Sequence, residues 1–287
     1  MAFSTLIDVD ALAARVGDPR WVLLDCRFEL TNPTAGEAAF AAGHLPGAQY
    51  AHLDRDLAAA PSAGSGRHPL PDPADFAARA AAWGITGDTQ IVCYDQTSGM
   101  FAARAWWLFR WLGHRTVAVL DGGLAAWIAA GHGVTQTLTP RAPGHFVPRP
   151  ETSWVLDVAA VQAMEADCRA GRRCLVDARG ADRYSGENVA MDPVAGHVPG
   201  ARNHHFARNV GPDGRLLDTA TLRAAWSSTL AGTPPEALVA MCGSGVSACL
   251  NLLALEHAGL PGGKLYPGSW SEWIKDPSRP VARGANP

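Results

Sequence analysis

No run in this 287-residue chain approaches the ~18–20 consecutive apolar residues that a membrane-spanning helix needs, so a membrane protein is not expected. Excess positive charge is absent too. The net charge is −3 and the isoelectric point about 6.3, which removes the electrostatic footprint of a nucleic-acid binder. The six cysteines, at positions 26, 93, 168, 174, 242 and 249, show no C-x-x-C metal spacing, and no metal or organic cofactor is expected. The opening MAFSTLIDVDALAARVGD has acids at Asp8 and Asp10 and no basic stretch leading into an apolar run. A secretory or transit signal is therefore not expected, and the cysteines read mostly as reduced, buried small hydrophobes of a cytoplasmic protein. What is present is a 47% hydrophobic composition, enough for a real core, in a length that suits one large domain or two average ones.

The chain is written twice. WVLLDCR (21–27) returns as RCLVDAR (173–179), and AGHLPGA (42–48) as AGHVPGA (195–201). IVCYD (91–95) is echoed by LVAMC (238–242), and LDGGLAAW (120–127) by YPGSWSEW (266–273). A separation of roughly 150 residues is far too long for a solenoid and marks a duplicated domain. Between the copies, residues 134–153 carry four prolines and no apolar periodicity, as an extended linker would. The expected division is thus 1–133, linker 134–153, and 154–287. Each copy predicts the same series: a helix (8–16; 157–170), an apolar strand ending in Asp-x-Arg, the Ala-Gly-His turn, a helix (72–83; 219–230), a second strand, a longer helix (100–112; 246–258), then a short strand and a closing helix. The fold class is α/β, with a mostly parallel sheet flanked by helices in each copy. In such sheets ligands bind beyond the carboxyl ends of the strands, and Cys242 stands at such an end.

Cys242 opens the turn Cys-Gly-Ser-Gly between the strand LVAM and the helical run VSACLNLLALEHAGL, which Gly259 closes. Positive φ at Gly243 and Gly245 would let the backbone of Gly243, Ser244, Gly245, Val246 and Ser247 turn its N–H groups inward as an anion cradle at a helix N-terminus. A thiolate held there is nucleophilic near neutral pH. A cysteine phosphatase would use the same cradle, but it needs an arginine after five intervening residues, and Ala248 occupies that place. A buried structural cysteine is the plain alternative. The remaining chemistry is sulfur handling: the thiolate takes a sulfur from a donor, the cradle holds the persulfide, and a thiophilic acceptor removes it.

The tandem layout, the paired DCR/DAR and AGH-x-PGA motifs, DGGLAAW and CGSGVSA resemble the two-domain rhodanese-type sulfurtransferases, which include thiosulfate and 3-mercaptopyruvate sulfurtransferases. The resemblance spans nearly the whole chain. It implies two rhodanese-like domains, with the catalytic cysteine, Cys242, in the second and Asp95 in its place in the first. It also implies a small-molecule sulfur donor and a cyanide or thiol acceptor, including a reduced thioredoxin-like protein. The neutral loop residues Gly243 and Ser244 match members that use mercaptopyruvate rather than thiosulfate. By local motif the resemblance adds an Asp54, His68 and Ser244 constellation for proton transfer, and Arg183 for the donor's carboxylate. One feature departs from the pattern: mercaptopyruvate enzymes carry a second arginine shortly before the Ala-Gly-His turn, and no basic residue lies between Arg183 and His197 here. Transfer from thiosulfate, relay of the persulfide to a protein partner, and a non-catalytic binding protein are the alternatives.

Other candidates read as structural. His44 and His197 occupy equivalent turns, Arg179 ends a strand, Cys249 follows on the helix, and Trp106, Trp107 and Trp111 have helical spacing. His204 and His205 lack a third ligand at metal-binding spacing. Trp270 and Trp273 are expected beside the catalytic pocket.

Overall fold

The computed structural model describes residues 2–189 and 191–287. Two compact units emerge. The first contains the chain up to Ala59, Leu70–Glu151 and Val210–Leu216; the second contains Ala60–Pro69, Thr152–Asn209 and Leu217–Pro287. This differs from the expected division at 133 and 154. Most of the proline-rich segment belongs to the first unit, tied there by Gly144 N–H to Ala81 O and Arg149 N–H to Leu112 O. Residues 60–69 belong to the second unit, because Gly66 lies so close to Gly268 that a Cβ on it would sit 2.4 Å from the Gly268 carbonyl oxygen.

The first unit has strands β1 (Leu6–Ile7), β2 (Trp21–Asp25), β3 (Gln49–Tyr50), β4 (Gln90–Tyr94) and β5 (Val117–Leu120), in the order β1-β5-β4-β2-β3. Its helices are α1 (Val9–Ala13), α2 (Ala35–Ala42), α3 (Leu53–Asp56), α4 (Pro73–Ala82), α5 (Met100–Trp111) and α6 (Gly123–Ala129). The second unit has strands β6 (Cys174–Asp177), β7 (Ala201–Asn203), β8 (Leu238–Met241) and β9 (Lys264–Leu265), in the order β7-β6-β8-β9. Its helices are α7 (Val158–Ala163), α8 (Glu165–Arg169), α9 (Ala181–Ser185), α10 (Thr219–Leu230), α11 (Ser247–His257) and α12 (Ser269–Trp273). All pairings between these strands are parallel. β4 and β8 are buried along their whole length, as unbroken apolar strands of a covered parallel sheet are.

The duplication extends to the caps. Asp8 and Asp157 accept hydrogen bonds from Ala11 and Ala160 N–H at the starts of α1 and α7, and Asp72 and Asp218 cap α4 and α10 in the same way. The helix expected over 157–170 divides at Met164. Its N–H turns to the carbonyls of Gln162 and Val161, and its side chain enters the core of the second unit. α11 is buried from Ala248 to Leu255, so the turn before it stands on a fixed base. Trp270 and Trp273 belong to that core at 0 and 2% exposure, and Trp270 adjoins the Cys242 turn through its backbone N–H.

The Asp-x-Arg motif ties strand end to turn in both units. Asp25 receives the Arg27 backbone N–H and guanidinium, and Arg27 Nη2 reaches Gly43 O at 2.7 Å. Asp177 and Arg179 repeat the pair, and Arg179 Nη2 reaches Gly196 O at 2.8 Å. Behind each motif a histidine ring stacks on an aromatic one, His44 on Phe40 and His197 on Tyr184. Their Nδ1 atoms hydrogen-bond to the Phe40 and Tyr184 carbonyls, which accounts for both histidines as structural.

The copies diverge at the first residue of the closing helix. Gly123 has φ 58, and its counterpart Ser269 has φ 54, a left-handed conformation that a side chain adopts only under strain. The strain buys a hydroxyl: Ser269 Oγ accepts from the Cys242 N–H at 3.0 Å and donates to Tyr266 O at 2.9 Å.

Two predictions follow from these ties. Ser269→Ala keeps the left-handed backbone and leaves the buried Cys242 N–H without its acceptor, at a cost of about 1–3 kcal/mol. Ser269→Gly loses the same bond but relieves about 1–2 kcal/mol of backbone strain, so its urea midpoint should lie above that of Ser269→Ala; the reverse order contradicts the assignment. Arg179→Met leaves Asp177 buried without its partner and should lower stability by about 3–5 kcal/mol, whereas a loss under 1 kcal/mol would show that the pair does not hold the turn.

Candidate active site

Cys242 follows β8 directly, and every residue of its turn is fixed. Ala178 N–H bonds to Met241 O at 2.8 Å, Trp270 N–H to Cys242 O at 3.0 Å and Ser271 N–H to Gly243 O at 2.9 Å. The Gly245 N–H donates to Cys242 Sγ at 3.1 Å. That donor comes from the turn leading into α11, whose first residue is Ser247. Cys249 lies behind the turn, with its thiol on Gly245 O at 3.3 Å. Val246 is buried at the α11 N-cap position and Ser247 is half-buried in the first turn.

The two glycines differ in purpose. Gly245 has φ 77, and a Cβ on it would lie 2.5 Å from Pro267 O. Gly243, expected to share the positive φ, does not. It is required for space: a Cβ there would lie 2.9 Å from Arg67 Nη2 and 3.0 Å from Arg183 Nη2. Two guanidinium groups thus press on the backbone beside the nucleophile. Both are held by Asp192, which receives Arg67 Nη1 at 2.6 Å on one oxygen and Arg183 Nη2 on the other. Burial alone would raise the Asp192 pKa, but the hydrogen bonds from Arg183 and Arg67 outweigh it and hold the carboxyl below its usual range.

His68 reaches the same turn. Its ring Nδ1 and Ser244 Oγ are 2.7 Å apart, both residues are buried, and both belong to the second unit. Asp54 belongs to the first unit, exposed in the opening turn of α3, with its backbone N–H on His52 Nδ1 at 3.1 Å. The structure therefore brings together Cys242, Gly243, Ser244, Gly245, His68 and Arg183 within one unit. Sequence reasoning missed Arg67, Asp192 and Ser269. Arg67 precedes His68 in GRHPLP, and Ser269 lies in a PGSW motif read only for its tryptophan. Asp192 lies in a segment searched only for bases.

The first unit displays the same cradle already filled. Asp95, at the end of β4, accepts hydrogen bonds from the N–H groups of Thr97, Gly99, Phe101 and Ala102 at 2.9–3.4 Å. Burial raises its pKa while those N–H donors work against the rise. Its carboxylate occupies the place where the second unit presents a thiol. His204 is a core residue, bonded to Thr229 and Asn209, stacked on Trp226 and pushed down to about 4 by burial.

Comparison with known proteins agrees with this geometry. The rhodanese-like domain family matches residues 8–130 and again 158–276. The chain is 49% identical over 286 residues to a probable 3-mercaptopyruvate sulfurtransferase of Pseudomonas aeruginosa, covering 99% of this chain and 100% of that one. It is 39% identical over 283 residues to a putative thiosulfate sulfurtransferase, SseB, of Mycobacterium tuberculosis, covering 97% of each. Among solved structures it is similar to SseA of Escherichia coli, described as a 3-mercaptopyruvate sulfotransferase of rhodanese fold, with a TM-score of 0.81, 29% identity and coverage of 94% of this chain and 100% of that one. With both halves matched and the nucleophile turn assembled in the second, the chain belongs to the rhodanese-like domain family as a two-domain sulfurtransferase.

Proposed function

We propose that the chain transfers sulfur from 3-mercaptopyruvate, through a persulfide on Cys242, to cyanide or a thiol. The observation that carries the choice of donor is the buried His68–Ser244 hydrogen bond, two residues from the nucleophile. The two candidate donors differ in their need for a proton. When the Cys242 thiolate attacks the sulfur of mercaptopyruvate, the S–S bond forms and the C–S bond breaks. The electron pair stays on carbon as the enolate of pyruvate, which must be protonated to become pyruvate. When the same thiolate attacks the outer sulfur of thiosulfate, sulfite leaves with the electron pair and no proton is required. A hydroxyl backed by an imidazole serves the first reaction and is idle in the second.

The roles then divide as follows. Cys242 is nucleophile and sulfur carrier. The N–H groups from Gly243 to Ser247 hold the outer sulfur of the persulfide. Ser244, backed by His68, delivers the proton, and Arg183 receives the donor's carboxylate as a guanidinium fork. In the second half-reaction the acceptor attacks the outer sulfur, the S–S bond breaks, and the Cys242 thiolate is the leaving group. With cyanide the product is thiocyanate; with a small thiol or a reduced thioredoxin-like protein it is a persulfide on the acceptor. The relatives carry both donor names, so the donor is a matter for measurement. Among the described residues no helix is long and apolar enough to cross a membrane.

Steady-state transfer to cyanide should favour 3-mercaptopyruvate over thiosulfate by about tenfold or more in kcat/KM, some 1.4 kcal/mol of discrimination. Cys242→Ser should abolish transfer from both. Ser244→Ala should lower turnover of mercaptopyruvate by about 10²-fold, with a much smaller loss for thiosulfate. Equal losses on the two donors would make the His68–Ser244 pair structural, and a preference for thiosulfate would contradict the proposal.

A further inference from the structure

Resting on that reading of the donor, we infer that Ser271 is a positioning residue for the His68–Ser244 pair, two side chains that the sequence sets 176 positions apart. Three observations converge. First, Ser271 bonds to the residue immediately before each member of the pair. Its backbone N–H donates to Gly243 O at 2.9 Å, next to Ser244, and its Oγ accepts from the Arg67 N–H at 3.0 Å, next to His68. Second, the hydroxyl is fixed. It donates to Gly268 O at 3.2 Å, and the residue is 5% exposed within α12. Third, the segment 60–69 is fitted to the start of that helix by shape. A Cβ on Gly66 would collide with the Gly268 carbonyl, and the φ of Gly66 is not positive, so the glycine there serves space alone. The outer end of the segment is tied separately, by Lys275 Nζ on Ser62 O at 2.9 Å. All these residues belong to the second unit.

The two bonds of Ser271 differ in kind. The one to Gly243 uses the backbone, so any residue at this position can make it, and the neighbouring bond from Trp270 N–H to Cys242 O is of the same sort. The nucleophile turn is therefore indifferent to the side chain at 271. The bond to Arg67 uses the hydroxyl, and an alanine supplies no acceptor. Without it the Arg67 N–H is left unpaired, and the segment that carries His68 can draw back from α12. Proton delivery weakens steeply when its two groups part by a fraction of an ångström, while Cys242 keeps its own backbone ties. The placement of His68 against Ser244 thus hangs on one hydroxyl that the placement of Cys242 does not need. Ser271 accordingly governs turnover of donors that leave a carbanion to be protonated, and has little hold on donors that do not.

The test is a double-mutant cycle on the intact chain, read as kcat at saturating donor, because the Arg67 side chain travels with the segment and its displacement alters KM. Ser271→Ala should lower kcat for 3-mercaptopyruvate by about tenfold, the scale of a small misplacement of a reacting pair, with a much smaller loss for thiosulfate. In a Ser244→Ala background the same substitution should cost nothing further, since the contact it positions is already gone. Gly66→Ala, which forces the segment off α12 from the other side, should give the same donor-selective loss and the same cancellation. Equal losses on the two donors, a loss that persists in full in the Ser244→Ala background, or an unchanged kcat in a folded Ser271→Ala overturns the inference. If Ser271→Ala does not fold, the cycle between Gly66→Ala and Ser244→Ala decides alone. Ser244→Ala costing both donors equally refutes the reading of the donor; Ser244→Ala selective for mercaptopyruvate, with Ser271→Ala without effect, refutes the positioning role only.

Discussion

The contact on which the site depends is a backbone N–H aimed at sulfur. Gly245 donates to Cys242 Sγ, and it can do so only because the turn rises from a buried strand into a helix buried all round. An anion placed at that point needs donors that do not move when its charge changes, since a mobile donor would have to reorganise at each half-reaction. The first unit supplies an internal control. Its equivalent turn points four N–H groups at the Asp95 carboxylate. The fold makes an anion site in both copies. In one the chain fills the site itself; in the other it leaves a thiol there to be charged and discharged with sulfur.

The surrounding structure serves that immobility. The Asp177–Arg179 pair joins the end of β6 to the turn at Gly196, and the Arg179 guanidinium lies over the Trp270 ring at 4.7 Å. Trp270 in turn donates its backbone N–H to the Cys242 carbonyl. Ser269 accepts the Cys242 N–H from a backbone conformation that glycine adopts in the other copy. Strain of this kind persists where the neighbours over-determine it, and here a fully buried tryptophan and tyrosine flank it.

Much of this was legible in the sequence because it is local. A strand, a glycine-bearing turn and a helix follow one another within twenty-odd residues around Cys242, and a duplicated motif announces itself by its echo. The long helices 100–112 and 219–230 were readable for the same reason and lie within a residue of α5 and α10. What escaped depends on distant segments or on dihedral angles. Arg67 enters the site because the segment 60–69 folds onto the second unit, which no spacing encodes. Asp192 matters through two arginines that are 9 and 125 positions away. Ser269 matters through a φ that its letter argues against. Gly243 was read for conformational freedom, and its actual use is the room it leaves for two guanidinium groups.

The central claim is that Cys242 takes sulfur from a 2-oxo acid in a first half-reaction that needs no acceptor. The most direct test mixes the intact chain with one equivalent of 3-mercaptopyruvate in the absence of cyanide or thiol. Mass spectrometry of the digested protein then locates the sulfur while pyruvate is assayed in the same sample. The account predicts one added sulfur atom, on the peptide that contains Cys242, with an equal amount of pyruvate released. Pyruvate without sulfur on Cys242, or sulfur on any of the other five cysteines instead, would contradict it.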